Sequence, residues 1–194
     1  MAVLKTLLQI QLMPGDIFLS QGYDIFPFLI RLASRQIGED KTIFNHTGII
    51  TKPGNLRTAM LTEALWRVKE HSIWDTYYGK ETKIAIYRHK NLEMIERLVV
   101  AREAKSYIGN FYGIAKILTH AIDKTCFNDM NVTRRLTVYD KLPICSWITG
   151  KAYEKIHINF GKNAAFVDPD DIGDDVTSNT NNYQCIIPLT KLGD

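Results

Sequence analysis

The stretch Leu142-Pro143-Ile144-Cys145-Ser146-Trp147-Ile148 constrains this chain more than any other, because it sets where a helix begins. Proline suits a helix entry: it has no N–H to lose, and its φ is already that of a helix. The pattern predicts a helix running to about Ile156, with Cys145 in its first turn. A thiol there faces unpaired N–H groups and the positive end of the macrodipole, which favour the thiolate, the nucleophilic form. Free cysteine is also among the residues most often buried for packing alone. A reactive role for Cys145 therefore needs a partner.

The other two cysteines, Cys126 and Cys185, lie far from Cys145 and from each other, and no C-x-x-C pair occurs. An odd, scattered set argues against a disulfide framework or a zinc site and for a reducing compartment. With 194 residues, 45% of them apolar and 23% charged, the chain can bury a full core as one domain. A net charge of +3 with no basic stripe excludes a nucleic-acid partner from the expected ones. Residues Met1 to Met13 are apolar but short, carry only Lys5 and lack a small-residue cleavage site. They read as a docking helix or strand rather than a signal peptide. No segment has the length of a membrane span, so the expected location is cytoplasmic.

Along the chain, Pro14-Gly15 marks a turn and Asp16 to Ser20 a short strand. Ile25, Phe28, Leu29 and Leu32 recur at helical spacing, predicting a helix that ends near Gly38. Ile43 to Thr51 is rich in β-formers, and Thr58 to Trp66 is compatible with the returning strand, with helix left open there. Lys83 to Arg88 alternates as a third strand. Asn91 to Ile108 predicts the longest helix, with Leu92, Ile95, Leu98 and Val99 on one face, and a shorter helix covers Ile114 to Ile122. Asp123 to Leu142 reads as irregular. Asp168-Pro169-Asp170-Asp171 looks like a turn into a brief helix, and Asp174 to Asn182 is polar and expected to be mobile. Gln184 to Leu189 reads as a closing edge strand, given Pro188. The whole is α+β in a single domain, 1–194: a small, mainly antiparallel sheet with helices packed on it.

The partner for Cys145 comes from hairpin arithmetic. A turn centred between Gly54 and Asn55 sets His46 directly opposite Glu63. Cross-strand neighbours have Cβ atoms about 4.5–5.5 Å apart. A carboxylate at that distance can fix the imidazole tautomer and stabilise the imidazolium while the other ring nitrogen acts as a base. A slip of one residue would turn Glu63 to the other face. Gly48, two residues beyond His46, is expected to leave open space beside the ring. The remaining histidines are weaker candidates: His71 falls in a charged stretch read as loop, His89 ends a strand, and His120 has no catalytic or metal spacing. His157 lies roughly 18 Å from Cys145 at the far end of the same helix.

The order His46, Glu63, Cys145 resembles that of the circularly permuted branch of the NlpC/p-sixty papain-like cysteine hydrolases, in particular its YiiX-like group. The similarity rests on Pro14-Gly15-Asp16-Ile17-Phe18, Asn45-His46-Thr47-Gly48-Ile49, Thr62-Glu63-Ala64 and Ile144-Cys145-Ser146. Gly109-x-x-Tyr112-Gly113 and Asp168-Pro169-Asp170-Asp171 resemble further landmarks. Trp147 stands where that group commonly has an acidic residue. The resemblance implies a small antiparallel sheet or partial barrel with the cysteine helix packed against it. It also implies Cys145 as nucleophile, His46 as general base and Glu63 as orienting group, with Tyr112, Ser146 and Gly48 near the substrate.

These readings converge on a thiol hydrolase cleaving an amide bond in a peptide or peptide-like substrate through a thioester, with no metal and no cofactor. An acyltransferase or thioesterase acting on an acyl or lipid substrate uses the same intermediate. A catalytically silent binding module of the same fold is the rival from another class.

Overall fold

The computed structural model describes residues 2–22, 43–65, 67–110 and 145–193. The helix expected from Ile25, the helix over Ile114–Ile122 and the irregular stretch after Asp123 lie outside these residues. So do Tyr112, His120, Cys126 and Pro143.

Alternation of apolar residues on both faces builds the centre of the fold. In β1 (Ile17–Gln21), Ile17 and Leu19 point into one apolar cluster, and Phe18 between them points into another. Strands β2 (His46–Lys52) and β5 (Lys83–His89) flank β1 in antiparallel register, Phe18 pairing with Gly48 on one side and Ile86 on the other. Strands β3 (Met60–Ala64) and β4 (Val68–Ser72) extend the sheet beyond β2, and β6 (Tyr183–Lys191) closes it beyond β5. The six strands run in the order β4-β3-β2-β1-β5-β6. The edge position of β6 is the one Pro188 favours, since proline has no N–H for a second neighbour.

Helices cover the sheet. After α1 (Ala2–Leu7), the one-turn helix α2 (Ile73–Tyr77) follows β4 directly. Helices α3 (Met94–Ser106), α4 (Cys145–Glu154) and α5 (Pro169–Ser178) supply Val100, Ala104, Ile148, Ala152, Ile172 and Val176 to the cluster around Ile17, Leu19 and Ile49. The other cluster joins Phe18, Ile50, Leu61, Ile84 and Ile86 to Leu12, Ile73 and Tyr77. The fold is thus α+β, with an antiparallel sheet buried on both faces.

Several local expectations change. Val68–Ser72 is a strand, and Ile73–Tyr77 is a helix capped by the Ser72 side chain, which accepts from the Asp75 N–H. In α3 the buried residues are Arg97, Val100, Ala101 and Ala104, whereas Ile95 and Leu98 are exposed. Small alanines let the helix approach α4 and β2, and Arg97 is buried because it reaches Asp16 and the His89 carbonyl. Asp174–Ser178, within the stretch expected to be mobile, forms the last turns of α5. That helix is nucleated by a reciprocal cap: Asp168 accepts from the Asp170 and Asp171 N–H groups, and Asp171 accepts from the Asp168 N–H.

The hairpin register also differs. Glu63 pairs with Gly48, and the ladder shifts between Ile50 and Lys52, leaving Thr51 as the extra residue of a bulge. The offset from the predicted pairing is two residues, which keeps Glu63 on the face of His46. The role of Gly48 changes with it. A Cβ there would lie 2.9 Å from Glu63 Cβ, Leu61 Cδ1 and the Thr62 carbonyl oxygen, so the space expected to be open is filled by β3.

Gly48→Ala therefore pushes β3 away from β2. It should destabilise the fold by about 1–3 kcal/mol, lowering Tm by about 2–4 °C for each kcal/mol in a protein of this size. Thermal unfolding followed by circular dichroism checks this, and an unchanged Tm would mean that the two strands separate freely.

Candidate active site

His46 opens β2, and its neighbours hold it in place. The Ile43 and Phe44 N–H groups both donate to Asp170 Oδ1 in the first turn of α5. The Asn45 side chain bonds both backbone groups of Gly22. The Thr47 hydroxyl donates to the Phe18 carbonyl and lies 3.3 Å from Thr149 Oγ1, one turn into α4. The threonine contact seats the start of the cysteine helix beside the start of β2. Cys145, the first residue of α4, is 2% exposed and its side chain hydrogen-bonds to His46.

On its other side, His46 Nε2 lies 2.7 Å from Glu63 Oε2. Glu63 is completely buried, and burial alone would push its carboxyl up. The positive charge and hydrogen bond of His46, with a smaller contribution from His71, outweigh burial and hold it at about 2. Glu63 is therefore a carboxylate, and Nε2 must carry the proton between them. That leaves Nδ1 for the thiol. Burial favours a neutral His46 ring, but the Glu63 carboxylate and then the Cys145 sulfur raise it to about 10. The imidazole beside the sulfur thus binds its proton more tightly than an ordinary histidine.

The carboxylate has two further partners. The Tyr77 hydroxyl, from α2, sits 2.9 Å from each oxygen. Burial and the Glu63 charge raise Tyr77 well above the ordinary tyrosine range, so it stays a donor. His71 Nε2 lies 2.8 Å from Oε1, at ion-pair distance but off the line of a well-aligned hydrogen bond.

Of the residues read from the sequence, His46, Glu63 and Cys145 come together. Gly48 and Ser146 are buried, as Cys145 is, Gly48 against β3 and Ser146 with its Oγ unbonded among the described residues. Trp147 is also buried, stacking edge-on against Tyr107 at 4.9 Å, which makes it a packing residue in the position the resembled group gives to an acid. His89 packs against Tyr183, away from this cluster. The sequence reading missed His71 and Tyr77. A hairpin pairing Ala64 with Val68 puts His71 on the face of Glu63, and Ser72-Ile73-Trp74-Asp75 is a helix-start pattern that brings Tyr77 beneath it.

Among the described residues, no helix is long and apolar enough to cross a membrane. No family model matches the chain. No curated protein matches it. Among solved structures, the chain is similar to the crystal structure of metalloprotein yiiX from Escherichia coli O157:H7, at 19% identity and a TM-score of 0.51, over 92% of this chain and 86% of that one. At this identity the similarity is one of fold: the chain has a YiiX-like fold.

Proposed function

We propose that this protein is a thiol hydrolase of the permuted papain-like type, in which Cys145 is the nucleophile, His46 the acid and base, and Glu63 the orienting carboxylate. One observation carries the reading: a single imidazole is held between a fully buried carboxylate and a thiol at a helix start. The chain order His46, Glu63, Cys145 and the YiiX-like fold support it.

The chemistry follows from the charges. With the proton affinity of His46 raised, its first task is to hold a thiolate–imidazolium pair. The thiolate attacks a carbonyl carbon, forming a C–S bond and placing negative charge on oxygen. Backbone N–H groups in the first turn of α4 are the donors for that charge. The tetrahedral species collapses as His46 gives its proton to the leaving amine, yielding a thioester and a neutral imidazole. His46 then takes a proton from water, hydroxide adds to the thioester, and Cys145 leaves as thiolate while the acid product departs. The substrate class is an amide in a peptide or peptide-like chain.

The yiiX protein is described as a metalloprotein. In this chain the nitrogen and oxygen donors face one another: His46 Nε2 and His71 Nε2 lie 2.7 and 2.8 Å from the Glu63 oxygens. Those contacts engage the Glu63 carboxylate with two imidazoles and the Tyr77 hydroxyl. Among the described residues, no group of three His, Cys, Asp or Glu is arranged to hold a metal ion. The donor set does not fit a resident metal, and no step is routed through one.

Three outcomes are expected. At neutral pH, iodoacetamide should alkylate Cys145 faster than Cys185, whose thiol is raised by burial, and faster than Cys126, as mapped by peptide mass. Equal labelling, or an acyl-enzyme still forming in Cys145→Ser, would overturn the nucleophile.

Glu63→Gln should lower turnover of activated acyl probes by about 10²–10⁴-fold, because an amide cannot stabilise the imidazolium as a carboxylate does. Retained turnover in that variant would remove Glu63 from the mechanism.

The ion pair also links stability to pH. Glu63, depressed from 4.5 to about 2, contributes stability present above 4.5 and lost as pH falls through 2. His46, raised from 6.5 to about 10, contributes stability fully present below 6.5 and lost as pH rises through 10. Tm should therefore decline from pH 6.5 toward 10 in the wild type, and this alkaline decline should be smaller in His46→Gln. Equal alkaline slopes would mean that His46 does not hold its proton through the pair.

A further inference from the structure

Glu63 is shared by two histidines, only one of which the proposed hydrolysis uses. His71, on β4, reaches Oε1 as His46 reaches Oε2. Its Nδ1 lies 2.7 Å from Thr76 Oγ1 and 3.3 Å from the Ser72 carbonyl, so the head of α2 fixes the ring from behind. The groups facing it are Glu63 from β3, Thr76, Ser72 and Tyr77 around α2, and His46 from β2 across the carboxylate; Lys69, two residues earlier on its own strand, is exposed. The His71 side chain is 19% exposed, against 10% for His46 and none for Glu63, so His71 is the more open to solvent of the two histidines.

Charge balance gives this geometry a consequence. A thiolate, one imidazolium and one carboxylate sum to a net negative charge in a nearly dry site, which is costly to keep. A second imidazolium beside Oε1, the oxygen that His46 does not bond, brings the sum to zero. We propose that His71 is a positioning residue for the Cys145–His46 pair: when charged it shares the Glu63 charge with His46, and when it loses its proton it leaves that charge to His46 and the Tyr77 hydroxyl. His71 thereby sets the pH range in which His46 can give up and regain a proton. The inference rests on the hydrolase reading for its meaning, but the coupling itself does not. Burial favours a neutral His71, yet Glu63 raises it above the ordinary histidine range, while the charge of His46 opposes that rise.

The test uses the full chain. The His46 imidazole is titrated by NMR in Cys145→Ala with and without His71→Gln, an amide that keeps an N–H for Glu63 but does not titrate. Removing a like charge across the carboxylate should make His46 hold its proton about tenfold more tightly. In parallel, the rate of Cys145 alkylation against pH should lose, in His71→Gln, an inflection lying above the ordinary histidine range. If His46 titrates at the same pH in both backgrounds, His71 is only structural and the proposal fails. If His46 moves but Cys145 does not label selectively, the coupling stands and the hydrolase reading fails instead. His71→Asn serves if the glutamine variant does not fold. Should neither fold, the titration of His71 itself in Cys145→Ala decides: a second step coinciding with that of His46 supports coupling, and a single independent step overturns it.

Discussion

A completely buried carboxylate is the constraint on which this structure turns. Placing the charge of Glu63 away from water costs several kcal/mol unless donors surround it. The chain meets that cost with His46 from β2, His71 from β4 and Tyr77 from α2. Three elements are thereby tied to one side chain of β3, and their order in the sheet reflects it: β2 and β4 are the two neighbours of β3. Helix α2 is one turn long and could not persist alone, but its cap on Ser72 and the packing of Tyr77 on Phe18 at 4.9 Å hold it against the same carboxylate.

The thiol reaches this cluster from a different layer. Cys145 belongs to the apolar cluster of Ile17, Leu19 and Ile49, whereas Tyr77 belongs to that of Phe18 and Ile50. Glu63 pairs with Gly48, on the face of Phe18 and Ile50. His46 can contact both groups because it is the first residue of β2, at the end of the strand. A histidine two residues further along would stand at Gly48, where β3 leaves no room even for a Cβ. The position of the imidazole is thus set by strand length and close packing as much as by its own contacts.

Much of this was legible in the sequence, and the failures share a cause. Strands β1, β2, β5 and β6 carry apolar alternation or β-branched runs and lie where pattern reading put them, while β3 falls in a stretch left open between strand and helix. The His46–Glu63 contact was found through a register wrong by two residues. It survived because the bulge at Thr51 preserved the parity that decides which face a side chain occupies. Strand β4 was missed because Val68-Lys69-Glu70-His71-Ser72 pairs on one side only and keeps polar side chains along an edge. The buried face of α3 was misread because Arg97, Val100 and two alanines, not Ile95 and Leu98, meet the core. Pattern reading weighs side chains by size and polarity, whereas here tertiary partners decide: Asp16 for Arg97, Glu63 for His71.

The choice of a full negative charge, rather than a neutral amide, behind His46 changes what the imidazole does. An amide would fix the ring but leave its proton affinity near the ordinary range. A buried carboxylate, with the Cys145 sulfur adding to it, raises that affinity above the ordinary histidine range. In the proposed hydrolysis a thiolate is then favoured, but the imidazolium is correspondingly reluctant to give its proton to a leaving group, and the second step slows as the first is favoured. Under the proposed coupling, a charged His71 and the Tyr77 hydroxyl share the Glu63 charge and moderate that bias. In that reading, four side chains on β2, β3, β4 and α2 tune one proton.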